Sequence, residues 1–406
     1  MNWPLMRNNV TARDAHDAAG FLLTGDYPPQ GQILHGPDSV QIPVRLTQGD
    51  QVAAFEREFA QWLGCKHAVM VNSGSSANLI TMAALRDRGG PDEIIVPTIT
   101  WVSDIAAVLH AGFKPVFVDI DPYTLGMDWK QVFRAINKNT RAVFVTHVLG
   151  FNAFTQERIA ARLDAMNIDL IEDCCEATGA TMNGKKLGTF GLASNFSFYY
   201  AHHMSTIEGG MVCTNDESLY QRLRQFRSHG LVRERTDVEH RRVIEEQTPD
   251  LDPQFIFSVA GFNVRSTEIN AVIGRSQLKR LDANNAIRAR NLGTWLSSLD
   301  PTLYQTEYAA EGASNYALPL VLVEPNTILM DKVIDLLTDE GVEYRRGTAG
   351  GGNQLRQPYL RNVVPLKHYE KFPQTEHVHF FGLYVGNYPE LHASEIESLC
   401  VKLNAL

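Results

Sequence analysis

Short apolar runs alternate with segments of helical periodicity over the first half of the chain. The runs typical of β-strands cover residues 67–72, 93–97, 115–119, 142–146 and 169–173. Helical spacing of apolar residues covers 52–63, 76–86, 102–110 and 154–166. Because strands that are apolar throughout are buried on both faces, the alternation predicts an α/β fold with a mostly parallel sheet. Ligands bind at the carboxyl ends of such strands, where polar residues follow these runs.

The pattern changes in the second half and at the N-terminus. Two strands around a polar turn are expected at 195–215, a lid or interface segment at 229–262, and a helix at 266–281. A strand at 316–322 and helices at 327–340 and 393–403 predict a smaller α/β domain. The first 45 or so residues are rich in Gly, Pro and Asp, which predicts loops. We therefore expect an irregular N-terminal arm (1–46), a large domain (47–285) and a small C-terminal domain (286–406).

Composition and charge exclude several classes of protein. The 406 residues carry 37 Lys and Arg against 46 Asp and Glu, and this net charge of −9 argues against nucleic acid as the main partner. Five cysteines without a CxxC pair predict neither a disulfide framework nor a zinc site. Neither a signal peptide nor an apolar run of about 18 residues occurs, so we expect a cytoplasmic protein without a membrane span.

Polar residues with two interpretations each follow the predicted strands. Residues 72–78 (NSGSSAN) join a strand to a helix, which suits either an anion site at the helix N-terminus or a serine-capped helix. Asp173 ends a strand, where it can hold a proton on a ring nitrogen or cap the next helix. Trp101 begins a helix and can stack on a cofactor ring or belong to the core.

Two adjacent histidines, His202 and His203, lie in residues 197–210 (SFYYAHHMSTIEGG). Histidines among small polar residues suggest acid–base chemistry or a metal, and two structural histidines are the alternative. Neighbouring side chains of a strand point to opposite faces, which disfavours joint ligation of a metal. No metal site is therefore expected.

Taken together, these segments resemble the DegT/StrS family of nucleotide-sugar aminotransferases. These are pyridoxal phosphate (PLP) proteins of fold type I, similar to aspartate aminotransferase. The resemblance runs from about residue 47 to the C-terminus. It rests on the ordered motifs NSGSSAN, Trp101, EDCCEA (172–177) and SFYYAHHMSTIEGG, together with VDIDP (118–122) and GFNVRSTE (261–268).

The resemblance implies four contacts to the cofactor phosphate. Gly74 and Ser75 match the turn that holds the phosphate, and Ser197 matches a second contact. Asn263 matches a residue that reaches the phosphate from the neighbouring subunit, which implies a homodimer with shared active sites.

The resemblance also implies three contacts to the cofactor ring. Trp101 matches the aromatic residue that stacks on the pyridine, and Asp173 matches the acid paired with the ring nitrogen. That carboxylate keeps the nitrogen protonated, which makes the ring an electron sink. Glu176 takes the place of a polar residue near the ring hydroxyl.

His202 departs from the aminotransferase pattern, because it stands where those enzymes carry the lysine that bonds covalently to the cofactor. Imidazole cannot form that stable bond, so PLP or pyridoxamine phosphate would be held non-covalently. Histidine here marks the sugar 3-dehydratases of the family. The implied activity is removal of the C3 hydroxyl from a nucleotide-linked 4-keto-6-deoxy sugar in deoxysugar biosynthesis. Glutamate is the expected amine donor, and His202 is the expected catalytic base.

Three alternatives remain from the sequence. An iron–sulfur branch that acts on CDP-linked sugars also carries His and shares the QLRQP motif (354–358), but a [2Fe–2S] cluster needs four thiolates and no Cys occurs in residues 214–399. No iron–sulfur cluster is therefore expected. An ordinary nucleotide-sugar aminotransferase is disfavoured by His202. A non-catalytic sugar-binding homologue is disfavoured by the intact Asp173, Ser197 and His202.

Overall fold

The computed structural model describes residues 3–25, 27, 45–156 and 158–406, and these residues form two compact units. The first unit contains Met1–Arg7, Pro91–Phe190 and Leu281–Leu406. The second contains Asn8–Gly90 and Gly191–Arg280. This compactness does not test the predicted domain boundaries at 46/47 and 285/286, which stay predictions.

The strands and helices are numbered in chain order. The strands are β1 His67–Val71, β2 Glu93–Pro97, β3 Lys114–Val118, β4 Thr140–Thr146, β5 Asp169–Asp173, β6 Thr181–Met182, β7 Lys185–Lys186, β8 Ala193–Ser197, β9 Gly210–Thr214, β10 Ala317–Val321, β11 Tyr344–Arg346 and β12 Gly382–Gly386. The helices are α1 Ala12–Thr24, α2 Asp50–Leu63, α3 Gly74–Asp87, α4 Val102–His110, α5 Trp129–Ala135, α6 Ile159–Ala165, α7 Glu217–Arg227, α8 Val238–Gln247, α9 Glu268–Leu278, α10 Leu281–Ser298, α11 Thr327–Asp339, α12 Pro373–Phe381 and α13 Ala393–Leu403.

A parallel sheet in the order β3–β2–β4–β5 organises the first unit. Every residue of β2 is buried, and nearly all of β4 and β5, which agrees with the continuously apolar runs of the sequence. Helix α4 connects β2 to β3 and packs against both strands. Because parallel strands end at one edge, the register pairs Thr146 with Asp173 at the carboxyl ends of β4 and β5. This edge carries the polar residues that the sequence predicts to be functional.

A second sheet of the first unit is antiparallel, in the order β10–β12–β11. Helices α10, α11 and α13 surround a core that includes Trp295, Val333 and Leu399. The predicted strand at 316–322 and helices at 327–340 and 393–403 are all present here. The short hairpin of β6 and β7 turns at Asn183 and Gly184, which both have positive φ, and it places Lys185 on the surface.

The second unit contains the antiparallel strands β1–β9–β8 with helices α2, α3, α7 and α9. Four rings from α2, β8 and the residue after it pack together in its core: Phe55, Phe59, Phe196 and Phe198. The predicted helix over 52–63 and the strands within 195–215 are confirmed, with Gly64 at φ 93° as the C-cap of α2. This core fixes the ends of β8 and β9, from which candidate site residues extend.

The expectation of an irregular N-terminal arm is wrong for residues 12–24, which form helix α1. Thr11 and Asp14 make a reciprocal capping box, and Gly25 ends the helix at φ 80°. Asp14 also pairs with Arg280 after α9. Local capping and this long-range ion pair outweigh the turn-rich composition of the region. The predicted loop of residues 27–31 lies outside the described residues, except for Tyr27.

Three predicted segments differ in their limits. The helix expected from 154 begins at Ile159, because the Phe154 ring is held in the core against His147 and Trp129. The helix expected at 266–281 ends at Leu278, and α10 starts at Leu281. The stretch 229–262, expected to be a lid or interface segment, contains helix α8, none of whose residues is buried.

Across the part of the chain that the structure describes, we find no helix with both the length and the apolar character that crossing a bilayer requires.

Candidate active site

The predicted phosphate turn begins helix α3 in the second unit. The Ser73 hydroxyl accepts from the Ser76 N–H at 3.0 Å and so caps the helix. Among the described residues, none accepts from the N–H groups of Gly74 and Ser75. The capped helix is therefore confirmed, and the anion site stays a prediction that the two available N–H groups support.

Strand pairing brings Ser197 to the same turn. Ser197, the last residue of β8, pairs with Gly210, the first residue of β9. A Cβ atom at Gly210 would lie 2.4 Å from the Ser73 carbonyl oxygen, so only glycine lets the turn approach this closely. The structure thus brings together Gly74, Ser75 and Ser197, three of the four predicted phosphate contacts.

His202 lies in the irregular segment between β8 and β9. Its side chain is half-buried, and burial lowers the pKa of the imidazole to about 4. The ring is therefore neutral at physiological pH, as a proton acceptor must be. The His202 N–H donates to the Tyr199 carbonyl at 3.0 Å.

Residues far away in sequence hold the His202 segment in place. The Asn9 side-chain amide donates to the His202 carbonyl, and Gln277 of α9 donates to the Asn9 carbonyl. The Gln277 oxygen also accepts from the Ser205 N–H at 2.9 Å. The sequence analysis missed Asn9 and Gln277, because nothing local to either residue signals a contact with the histidine segment.

Asn263, the fourth predicted phosphate contact, is exposed and lies on the bridge that pairs its backbone with Ser228. Its side-chain oxygen accepts from the Arg265 guanidinium at 3.0 Å. An exposed amide can serve a neighbouring subunit, and its predicted role there stays a prediction.

Asp173 lies in the first unit at the carboxyl end of β5 and is 3% exposed. One of its oxygens accepts from the Cys175 N–H at 2.8 Å. A second buried acid, Asp104 in the first turn of α4, is hydrogen-bonded to the Asp173 carboxyl. The hydroxyls of Thr100 and Thr146 donate to Asp104. The sequence analysis missed Asp104, whose position beside a strand end becomes visible only in the fold.

Glu176 is buried close to Asp173. Its carboxyl accepts from the Leu149 N–H at 2.8 Å and is hydrogen-bonded to Tyr316. Burial, with the nearby charge of Asp173, raises the pKa of Glu176 to about 8. A chain of hydrogen bonds continues from Tyr316 through Tyr384 to Arg345. Glu176 is therefore a neutral acid at pH 7 and can donate a hydrogen bond.

Trp101 is the N-cap residue of α4 and is 45% exposed. The core tryptophans Trp3 and Trp295 are at most 1% exposed, so Trp101 does not belong to the core. Its indole face is open to a stacking partner. Within the first unit, the structure thus brings together Trp101, Asp173 and Glu176.

A buried cluster of His147, Glu172 and Cys174 has the composition of a metal site, but its hydrogen bonds give it a structural role. His147 contacts Glu172 through Nε2 at 3.3 Å and accepts from the Ala153 N–H through Nδ1. The two Glu172 oxygens accept from the N–H groups of Gly188 and Phe190. Both ring nitrogens and both oxygens are therefore engaged by the protein itself.

Comparison with known proteins identifies the family. The profile of the DegT/DnrJ/EryC1/StrS aminotransferase family matches residues 40–404. The chain belongs to this family. The predicted resemblance and the predicted fold class, an α/β fold of type I with a smaller C-terminal α/β domain, are confirmed.

Several members of the DegT family with named activities are similar to this chain in sequence or structure. GDP-4-keto-6-deoxy-D-mannose 3-dehydratase of Yersinia pseudotuberculosis is 32% identical over 366 residues, which is 87% of this chain and 91% of that protein. A crystal structure of GDP-4-keto-6-deoxymannose-3-dehydratase with a trapped PLP-glutamate geminal diamine has a TM-score of 0.84, at 29% identity over 99% of this chain and all of the other. GDP-perosamine synthase of Caulobacter vibrioides is 33% identical over 301 residues, 73% of this chain and 76% of that protein.

The close approach at Gly210 gives a test of the phosphate turn. Gly210→Ala should weaken binding of pyridoxamine 5′-phosphate to the apoprotein by about tenfold or more, because the new methyl group displaces the Ser73–Gly74 turn and its charge-assisted hydrogen bonds. Tryptophan fluorescence during titration measures the affinity. Gly293→Ala is the matched control, since its Cβ would meet nothing within 4 Å. Parental affinity in Gly210→Ala would show that the turn does not bind the phosphate.

Proposed function

We propose that this protein is a pyridoxamine phosphate-dependent 3-dehydratase that removes the C3 hydroxyl from a nucleotide-linked 4-keto-6-deoxy sugar. The feature that carries the proposal is His202, a neutral imidazole that, by the resemblance of residues 197–210 to the family pattern, stands where the aminotransferases carry their covalent lysine. The relatives named as 3-dehydratases support the same reaction class.

The residues present fit PLP or pyridoxamine phosphate. The free N–H groups of Gly74 and Ser75 suit a phosphate dianion, as does the nearby Ser197 hydroxyl. Asp173 suits a protonated ring nitrogen, and the exposed Trp101 indole suits a ring face. Glu176, a neutral acid at pH 7, can donate to the ring hydroxyl oxygen. These assignments are part of the proposal.

His202 moves the protons of the reaction. When bound, pyridoxamine phosphate supplies the amine that condenses with the sugar ketone and a ring that accepts electrons. With the cofactor in place, His202 would take a proton from the carbon that bears the amine and would return one to the C3 oxygen as it leaves. The low pKa of His202 leaves the ring neutral and ready to accept. Because imidazole forms no stable bond to the cofactor, the amine form stays available.

Glutamate restores the amine, and the whole reaction then balances. The sugar loses its C3 oxygen as water, which is a two-electron reduction. Oxidation of glutamate to 2-oxoglutarate and ammonia supplies those two electrons and consumes one water, so no external electron donor is needed. The two 3-dehydratase relatives at 32% identity are named for a GDP-linked sugar and one at 30% identity for a dTDP-linked sugar, and one structure contains a trapped PLP-glutamate geminal diamine. We infer a GDP-linked substrate and glutamate as donor for this chain, in a homodimer located in the cytoplasm.

An aminotransferase is the second candidate, since GDP-perosamine synthase is 33% identical. His202 disfavours it, because residues 197–210 contain no lysine that could bond to the cofactor. The iron–sulfur reaction is disfavoured by the absence of Cys from residues 214–399. The acids around Asp173 argue against a non-catalytic homologue.

A substrate panel separates these activities. We expect the protein, supplied with PLP and glutamate, to release ammonia and 2-oxoglutarate in about equal amounts with the GDP-linked 4-keto-6-deoxy sugar, because each sugar reduced consumes one glutamate. The CDP-, UDP- and dTDP-linked sugars test the nucleotide. Retention of nitrogen in the sugar would indicate an aminotransferase. About two irons per chain, with turnover that depends on an electron donor, would indicate the iron–sulfur reaction.

Substitution of His202 tests its role as base. His202→Asn should lower dehydration by about a thousandfold, within the range for loss of an acid–base catalyst, because an amide accepts no proton. His202→Lys should also stop dehydration and should give a yellow, borohydride-reducible bond to PLP. Absorbance spectra and mass spectrometry after reduction detect that bond. The exposed His110 gives the control His110→Asn, which should behave as the parent.

Two outcomes would contradict the assigned role of His202. Most of the dehydratase activity surviving in His202→Asn would make the residue structural, and the buried His203 would be tested next as the base. A reducible bond between PLP and a lysine of the parent would make the protein an aminotransferase with a relocated lysine.

Mixed dimers test whether Asn263 serves the partner's site. Asn263→Ala and His202→Asn homodimers should each be nearly inactive. If each site takes Asn263 from one chain and His202 from the other, a mixed dimer has one intact site and one doubly damaged site. Equal mixing with subunit exchange should then recover about a quarter of parental activity, because half of the dimers are mixed. Mixed dimers shown to form, but without recovered activity, would locate both residues in sites of their own chain.

A further inference from the structure

Two buried carboxyl groups are in contact at the carboxyl edge of the parallel sheet. Asp104 is 1% exposed and hydrogen-bonded to Asp173, which is 3% exposed. The Thr146 hydroxyl donates to Asp104 at 2.7 Å, and the Thr100 hydroxyl is bonded to both Asp104 and Thr146. Two carboxylates in contact cannot both be ionised, so the pair must share one proton.

The surrounding titratable groups leave that proton on Asp104. Burial and the charge of Asp173 raise the pKa of Asp104 well above its usual range. Among the described residues, Cys175 and Tyr359 are further titratable groups that face Asp104. The pKa values of both are raised, chiefly by burial, so both are neutral at pH 7 and neither offers a positive charge. The Cys175 N–H meanwhile donates to an Asp173 oxygen at 2.8 Å.

We propose that Asp104 is a positioning residue that stays a neutral acid and donates its proton in a hydrogen bond to Asp173. That bond keeps Asp173 ionised and oriented toward the ring nitrogen of the cofactor. This inference rests on the proposed function only for the identity of the cofactor.

The donated hydrogen bond has a chemical consequence at the ring. A neutral Asp173 could not hold positive charge on the ring nitrogen. The O–H of Asp104 satisfies one oxygen of Asp173 and leaves the other for the ring nitrogen. The proton between Asp173 and the ring then stays on nitrogen, where it is needed for the ring to accept electrons.

Two substitutions distinguish the effect of the proton that Asp104 donates from the effects of its charge and its size. Asp104→Asn keeps a donor for Asp173 and an acceptor for the two threonines, so it imitates the neutral acid. Asp104→Leu keeps the approximate size but removes the donor. Asp331, exposed on α11 of the same unit, provides the controls Asp331→Asn and Asp331→Leu.

Binding and spectroscopy give readouts that do not depend on turnover. Asp104→Asn should bind pyridoxamine 5′-phosphate within about threefold of the parent, and Asp104→Leu about tenfold or more weakly, as expected for the loss of a charge-assisted hydrogen bond. With ¹⁵N in the ring, NMR should show a protonated nitrogen in the parent and in Asp104→Asn, and a neutral one in Asp104→Leu. The Asp331 variants should match the parent.

Infrared spectroscopy of the apoprotein tests the shared proton even if Asp104→Leu fails to fold. The difference spectrum of the parent minus Asp104→Asn should contain the carbonyl band of a neutral carboxylic acid at about pH 7. A free aspartate loses its proton at about pH 4. The band of Asp104 should remain above that pH and disappear only when the pH passes its raised pKa. Absence of the band at neutral pH would overturn the proposal.

The binding results can also overturn the inference. Equal loss of affinity in Asp104→Asn and Asp104→Leu would mean that the charge of Asp104, rather than its proton, is used. Parental affinity and a protonated ring in Asp104→Leu would make Asp104 a core residue only. A parent that binds no pyridoxamine phosphate, but still shows the infrared band, would defeat the cofactor assignment and leave the acid pair intact.

Discussion

The site in the first unit depends on one constraint, which is that its carboxyl groups are buried at the carboxyl end of a parallel sheet. Asp104, Asp173 and Glu176 lie close together and are each at most 5% exposed, where ionised groups lose most of their hydration. Burial and the charge of Asp173 raise the pKa values of Asp104 and Glu176, so both hold protons at pH 7. One negative charge with two neutral donors beside it matches a ligand that brings a single positive nitrogen. Two or three ionised acids there would repel one another and destabilise the fold.

Local sequence signals predicted most of the elements that carry this site. Apolar runs indicated the strands of the parallel sheet, and helical spacing over 52–63 indicated α2. The order of the motifs along the chain indicated the family, and with it Trp101, Asp173 and His202. Asp104 escaped prediction because its partner is 69 residues away, and an acid in a first helical turn ordinarily interacts with the helix dipole. Its burial depends on how α4 packs against β2 and β3, which no local pattern contains.

Helix α1 shows how averaged composition can hide a strong local signal. Thr11 and Asp14 have capping-box spacing, and Gly25 is a typical C-cap, yet the Gly- and Pro-rich surroundings favoured loops. The residue Asn9, just before α1, then matters for the site. Its side chain donates to the His202 carbonyl, while Gln277 of α9 donates to the Asn9 carbonyl and accepts from the Ser205 N–H. A catalytic side chain on an irregular segment needs such outside support, since it has no ladder of backbone hydrogen bonds of its own.

The difference between histidine and lysine at position 202 is not mainly one of basicity. Free lysine has a pKa of about 10.4 and free imidazole one of about 6.5. These values suggest that a lysine would be protonated at pH 7 and unable to accept a proton. The burial that lowers the pKa of His202 to about 4 would also lower that of a lysine in its place, so a lysine there could be neutral as well. What imidazole lacks is the capacity to hold the cofactor in a stable covalent bond. In the proposed reaction, histidine therefore still transfers protons but forms no covalent bond to the cofactor, so the amine of the cofactor stays free to react with the sugar.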